Sequence, residues 1–268
     1  MPGTPERHRA ASGPSRPEAR PAVAFGVLYL LPTALGPADA SVLHPPEALA
    51  IARRLTHFVV ENAKTARAEL KRIEHPGPLQ SLAIVELPQR LDDATLDALL
   101  GPLFEGKDVG VLSEAGAPAV ADPGALLVRR AHERGARVVP IVGPSSLLLS
   151  LMASGLNGQS FAFHGYLPIK DGERTQALRA LEQESRRLQR TQLFIETPYR
   201  NAAMFATLLA TLAPDTLLCV ARELTCAGEW IRTRRVADWK REAAPELERR
   251  PTVFLFLAEA APAPERRR

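Results

Sequence analysis

The chain has 268 residues, of which 46% are apolar and 24% charged, with a formal net charge of +4. That apolar share supports a packed core and excludes a chain disordered throughout, while the length suits one large domain or two modest ones. The charge is uneven: residues 25–130 carry 10 basic and 13 acidic groups and residues 131–258 carry 17 and 13, which excludes a uniformly basic binding surface and leaves a basic second half as a weak sign of a polyanionic partner.

Residues 1–24 are rich in Pro, Ala, Arg and Ser without an apolar period and read as a disordered tail, as do residues 259–268. From residue 25, apolar runs expected to be strands lie at 26–31, 56–60, 82–85, 108–112 and 137–142. Helical patterns alternate with them near 46–54, 62–73, 92–105, 123–134 and 144–154. Most of the strand runs are continuously apolar, as strands buried on both faces should be, so this half is expected to be a parallel α/β sheet with right-handed crossovers. Asp122 is the expected cap of the fourth helix, with Pro123 in its first turn and Gly135 past its end.

SGLNGQS (154–160) breaks the pattern, which then restarts with strands expected at 161–167, 191–197, 216–224, 229–236 and 252–258 and helices near 173–190 and 199–212. The short link between 216–224 and 229–236 suits a hairpin, so the second half is expected to be a mixed sheet. Two α/β domains, 25–158 and 159–258, are the reading. No apolar run reaches the roughly 18–20 residues of a membrane span, and the start lacks a secretory apolar segment, so a soluble, cytoplasmic protein is expected. Cys219 and Cys226 form neither a CxxC pair nor a metal-ligand spacing, which suits a reducing compartment.

In an open parallel sheet, ligands bind beyond the carboxyl ends of the strands. The loops there are rich in small residues: PTALG (32–36), SEAGAPAVADPG (113–124), GPSS (143–146) and, in the second half, ETPYRN (196–201). Gly, Ala and Ser let a ligand approach the backbone, and amides at helix starts bind polar groups. Tight turns without a ligand account for one such loop as well as a ligand does, but less well for three from one sheet. None is a GxGxxG or Walker A loop, the six histidines have no HxxxH or HxH spacing for a metal, and no GxSxG nucleophile elbow occurs. Ser145 and Ser146 read as donors or caps. Glu114 and Glu196 end expected strands, where a carboxylate serves either chemistry or an ion pair. Basic residues from Lys170 to Arg190 are interleaved with Glu173, Glu182 and Glu184 and read as a solvated face. The run IRTRR (231–235) fits phosphate binding and edge-strand protection equally.

VGVLSEAGAPAVADPGALLVRRAHERGARVVPIVGPSS is similar to the signature block of the tetrapyrrole methylase-like superfamily of S-adenosylmethionine-dependent methyltransferases. Within it, the chain resembles the branch that includes ribosomal RNA small subunit methyltransferase I. SEAGAPAVADPG resembles that branch's S-D-A-G-T-P…S-D-P-G, and the likeness continues through FAFHGYLP, LFIETPYR and ARELT, over roughly residues 25–258. PTALGPAD (32–39) departs from its T-P-I-G-N-L-G-D, VENAKTAR (60–67) from its A-E-D-T-R, and Glu114 replaces its Asp, so the substrate side of the first domain is rebuilt while the cofactor loops persist.

The resemblance implies two α/β domains enclosing S-adenosylmethionine in the cleft between them, usually in a homodimer. Carried over, the cofactor contacts fall on Pro32, Ser113, Glu114, Ala115, Gly116, Ser145 and Ser146 in the first domain. In the second they fall on Ile195, Glu196, Ala221 and Thr252. Methyl transfer to RNA by in-line displacement needs alignment and no metal. Transfer to a ribose hydroxyl also needs a base, for which Glu196 and Glu114 are the candidates, with Tyr199, Arg200, Arg222, Arg232, Arg234 and Arg235 to hold phosphates. Methylation of a small molecule such as a tetrapyrrole, or a non-catalytic binding role, are the alternatives.

Overall fold

A computed structural model describes residues 24–38 and 43–259; the two expected tails lie almost wholly outside these. Ten strands and nine helices follow, with two short 3-10 turns at Leu79–Ser81 and Pro198–Arg200. The first five strands are β1 (Val27–Leu30), β2 (His57–Val60), β3 (Ala83–Glu86), β4 (Val109–Leu112) and β5 (Arg137–Pro140). They form one sheet in the order β3-β2-β4-β1-β5, parallel at every pairing. The crossovers are helices α1 (Pro46–Arg54), α2 (Ala63–Arg72), α3 (Asp93–Leu99), α4 (Gly101–Phe104) and α5 (Ala125–Glu133).

Both faces of this sheet are covered, which is why its strands read as continuous apolar runs. Tyr29, Leu31, Phe58 and Val60 pack with Ala52, Ala66 and Leu70 of α1 and α2 on one face. Leu28, Val59, Val109 and Val111 pack with Leu96, Leu103 and Leu127 of α3, α4 and α5 on the other.

The second sheet has the order β6-β7-β10-β8-β9, from β6 (Phe161–Tyr166), β7 (Thr191–Ile195), β8 (Leu217–Arg222), β9 (Trp230–Arg235) and β10 (Thr252–Leu257). Only β6 and β7 pair in parallel; the other pairings are antiparallel, including the expected β8–β9 hairpin. Phe194, Phe254 and Phe256 face α7 (Asp171–Leu188), α8 (Asn201–Thr211) and Trp239 of the short α9 (Val236–Trp239). The opposite face, with Leu193, Cys219, Val253 and Leu255, takes Leu147 and Leu151 of α6 (Ser146–Ser154). Thr233 Oγ1 donates to Ser154 O (2.6 Å), fastening that helix to β9. Thus α6, which follows β5 in the chain, packs on the second sheet.

Three local expectations change. The helix expected over 92–105 is two, α3 and α4, because Pro102 lacks the amide that a continuous helix would need near Gly101. The helix expected from 123 starts at Ala125: Gly124 is its N-cap at φ 130°, a conformation suited only to glycine, and Asp122 does not cap it. Helix α9 went unanticipated. Its Trp239 is buried, and the indole Nε1 donates to Leu218 O (2.9 Å).

Candidate active site

Strands β4, β1 and β5 are neighbours, so the loops leaving their carboxyl ends emerge side by side. The first two loops are tied together by reciprocal backbone hydrogen bonds between Thr33 and Gly116 (2.8 and 2.9 Å). Gly116 sits at φ +76°, where a side chain is strained, and a Cβ there would approach Leu35 Cδ2 to 3.3 Å. In the second sheet, the register places Ile195, Val253 and Ala221 abreast, since Val253 pairs with both Ile195 on β7 and Ala221 on β8. Between these two surfaces lies a cleft of about 280 Å3.

Eight of the expected cofactor positions line this cleft: Ala115, Gly116, Ser145, Ser146, Ile195, Glu196, Ala221 and Thr252. Three do not. Ser113 is buried behind the loop, its hydroxyl donating to Ala115 O and Gly116 O (3.4 and 3.3 Å). Pro32 lines a smaller apolar cavity with His44 and Glu69. Glu114 is exposed, and its amide donates to Glu61 Oε2 (3.0 Å).

Glu196 is on the cleft wall with its side chain only 1% exposed. Its Oε1 accepts from the Thr197 amide (2.6 Å) and from Arg200 Nε and Nη2 (3.1 and 2.6 Å), while its buried Oε2 has no partner among the described residues. A buried acceptor without a donor is costly unless a bound group satisfies it. Ser145 makes no side-chain capping bond at the start of α6, which leaves the first amides of that helix open at the cleft. A donor with hydroxyls, an ammonium and a carboxylate therefore meets complementary groups, and Ile195, Ala221 and Val253 offer an apolar surface for a purine. The residues present fit S-adenosylmethionine.

Asp122 also lines the cleft, a position that sequence reasoning assigned to capping. Burial pushes its carboxyl up to about 6, with the charges of Glu61 and Glu114 adding to the effect and the Ser113 hydroxyl opposing it. The signal lay in its loop: a carboxylate among small residues at a strand end. Other lining residues missed from sequence include Leu35, Val120, Tyr166 and Glu223. They come from separate elements and carry no common motif.

The expected phosphate-binding arginines are mostly engaged. Arg200 pairs with Glu196. Arg232 and Arg234 share Glu242 (3.0 and 3.1 Å), and Arg235 pairs with Glu259 (3.0 Å). Arg222 donates to Glu246 O and lies, like Arg232, over the Trp230 ring. Arg232, Arg234 and Arg235 lie on β9, the edge strand of the sheet. Tyr199 stands on the cleft's rim, 75% exposed. No cluster of three or more His, Cys, Asp or Glu among the described residues is placed to hold a metal, and no described helix is long and apolar enough to cross a membrane.

A parallel sheet and a mixed sheet walling a cleft of small-residue loops, with an open helix start and an unpaired buried acceptor, make this a two-domain α/β fold with a ligand-sized cleft between its sheets. Residues 36–239 match the family model of tetrapyrrole (corrin/porphyrin) methylases, and the chain belongs to that family. It is 31% identical to the ribosomal RNA small subunit methyltransferase I of Xylella fastidiosa (strain Temecula1), over 88% of this chain and 82% of the relative. It is 30% identical to the protein of that name from Escherichia coli O157:H7, over 90% and 80%. Its fold is similar to that of the methyltransferase CobJ, with a TM-score of 0.55 over 87% of this chain and 94% of that one at 20% identity. The protein is an S-adenosylmethionine-dependent methyltransferase.

Proposed function

We propose that this enzyme methylates a ribose hydroxyl of ribosomal RNA in the cytoplasm, that Asp122 takes the proton, and that it works as a homodimer. The observation that carries the reading is Asp122 itself: a carboxyl in the cleft with a pKa of about 6, ionised at neutral pH yet basic enough to accept a proton. The names of the relatives supply the substrate class.

When bound, S-adenosylmethionine supplies an electrophilic methyl group on a sulfonium leaving group. The open amides at the start of α6 would hold the carboxylate of its amino-acid tail, and Glu196 Oε2 would accept from a donor hydroxyl or ammonium. The proposed domains, 25–158 and 159–258, would enclose it between the two sheets and exclude water. Asp122 accepts the proton of the attacking hydroxyl. Glu196 is instead committed to Arg200 and the Thr197 amide, and Glu114 lies outside the cleft. The homodimer is supported by α6: its Leu147 and Leu151 lie on the second sheet while Leu148 and Met152 of the same helix stay exposed. Light scattering is expected to give twice the 29.1 kDa chain mass.

The test of function uses labelled S-adenosylmethionine and an extract from a strain lacking this protein. Label in small-subunit ribosomal RNA, resistant to alkali at one ribose, is the expected outcome. Label in the small-molecule fraction alone overturns the RNA reading.

A further inference from the structure

The exposed rim of the cleft holds an arrangement that none of the steps above uses. Tyr199 lies in the 3-10 turn Pro198–Arg200, directly after cleft-lining Pro198, and is 75% exposed. The Arg249 guanidinium sits 5.9 Å from the centroid of its ring. Arg249 is a non-glycine residue at φ +58°, and its amide donates to Pro198 O (3.0 Å). A backbone held in that disfavoured conformation and bonded to the tyrosine's own turn locks the two side chains' origins together. Pro251, two residues on, lines the cleft again, so the pair is anchored to it at both ends.

Arg249 is an uncompensated cation. Arg200, Arg232, Arg234, Arg235 and Arg250 each pair with a carboxylate, whereas Arg249, like Arg222, makes no ion pair among the described residues; unlike Arg222, which donates to Glu246 O, its guanidinium has no hydrogen-bond acceptor among them either. It is a cation left over an aromatic face, both open to solvent. A large exposed aromatic ring beside an uncompensated guanidinium is poor surface for an isolated soluble protein but matches an unstacked nucleobase with its phosphate. The base stacks on the ring or the guanidinium plane, and the cation meets the backbone charge.

We infer that Tyr199 and Arg249 form a stacking platform for a nucleotide of single-stranded RNA next to the acceptor nucleoside, holding the strand at the cleft mouth. The inference rests on the RNA reading above and gives Tyr199 a base-stacking role instead of a phosphate contact. Because stacking tolerates any base, the platform fixes the position of the strand more than its sequence.

The test measures binding of a fluorescein-labelled single-stranded RNA 12-mer by anisotropy, and methylation of small ribosomal subunits from a strain lacking this protein. Tyr199→Ala is expected to weaken RNA binding and raise KM by about 10-fold, on the scale of one lost stack, with the salt dependence of binding unchanged. Tyr199→Phe should keep most of the affinity. Arg249→Ala should weaken binding and lower the salt slope by about one charge. Replacing single nucleotides of the 12-mer by abasic residues should cost wild type affinity at one position where Tyr199→Ala loses nothing more. S-adenosylmethionine affinity is the folding control and should be unchanged in all three variants. If wild type methylates the subunits and Tyr199→Ala does so with the same KM, the platform is wrong and the RNA reading stands. If wild type binds S-adenosylmethionine but neither binds nor methylates RNA, both fall.

Discussion

The two sheets reach the same cleft by different means. The first is parallel throughout, so each strand exits in the same direction and three neighbouring strand ends deliver three small-residue loops to one edge. The second is mostly antiparallel, so its cleft edge is made of two strand ends and one strand start, held abreast by the ladder itself through Ile195, Val253 and Ala221. The cores differ in kind as well. Aliphatic side chains dominate around the first sheet, whereas the second stacks Phe194 on Phe254 (5.6 Å) with Phe205 edge-on to Trp239 (5.4 Å). The parallel half therefore contributes loop backbone and a half-buried acid, and the mixed half a wall of strand ends held in register by the ladder.

The largest effects are expected in the two cores. Phe254→Ala removes a fully buried ring and should cost about 3–5 kcal/mol in urea unfolding, against roughly 2–5 for Leu127→Ala in the first core. Equal and small losses at both would erase the distinction between the walls.

Asp122→Asn tests the loop side of the cleft. It should lower kcat by at least about 100-fold while S-adenosylmethionine affinity, read by calorimetry, stays within about threefold. Wild-type kcat should rise with pH through about 6 and then level, a limb absent from the variant. The same substitution has a stability signature. The carboxyl ionises near 3.8 in the unfolded chain and near 6 in the folded one, so ionisation opposes folding increasingly from pH 4 to 6 and fully above. With Asp122 half exposed and solvent-screened, that is about 1 kcal/mol, and Asp122→Asn should raise Tm by roughly 2–4 °C at pH 7.5 but not at pH 4.

Glu196→Gln should act on binding more than on chemistry, raising the S-adenosylmethionine Kd about 10-fold with a smaller change in kcat. A collapse of kcat at unchanged Kd would move the base from the first sheet to the second. The smallest effect belongs to the edge strand. Removing Arg232 and Arg234 together should cost about 0.5–1 kcal/mol of stability and leave the salt slope of RNA binding in place, because Glu242 already holds both. A slope lowered by two would show that these arginines leave their carboxylate for phosphate.

All ten strands were legible in the sequence, since a strand covered on both faces or alternating about a ladder leaves a local apolar pattern. The small-residue loops after β1, β4 and β5 were legible too, because a backbone that must approach a ligand excludes bulky side chains wherever the chain runs. What the tertiary structure alone decided concerns residues far apart in sequence. Helix α6 follows the first sheet in the chain, yet its Leu147 and Leu151 find their partners on the second. Asp122 looked like a helix cap until Gly124 took that place at φ 130° and left the carboxyl in the cleft. Arg232 and Arg234 fitted phosphate binding and edge protection equally until the fold brought Glu242 between them, whereas Arg249, unremarkable in its run of charges, came to lie on Tyr199 fifty residues away. Apolar periodicity is a property of neighbours along the chain, but desolvation, ion pairing and stacking depend on distances in space, which only the packed fold sets.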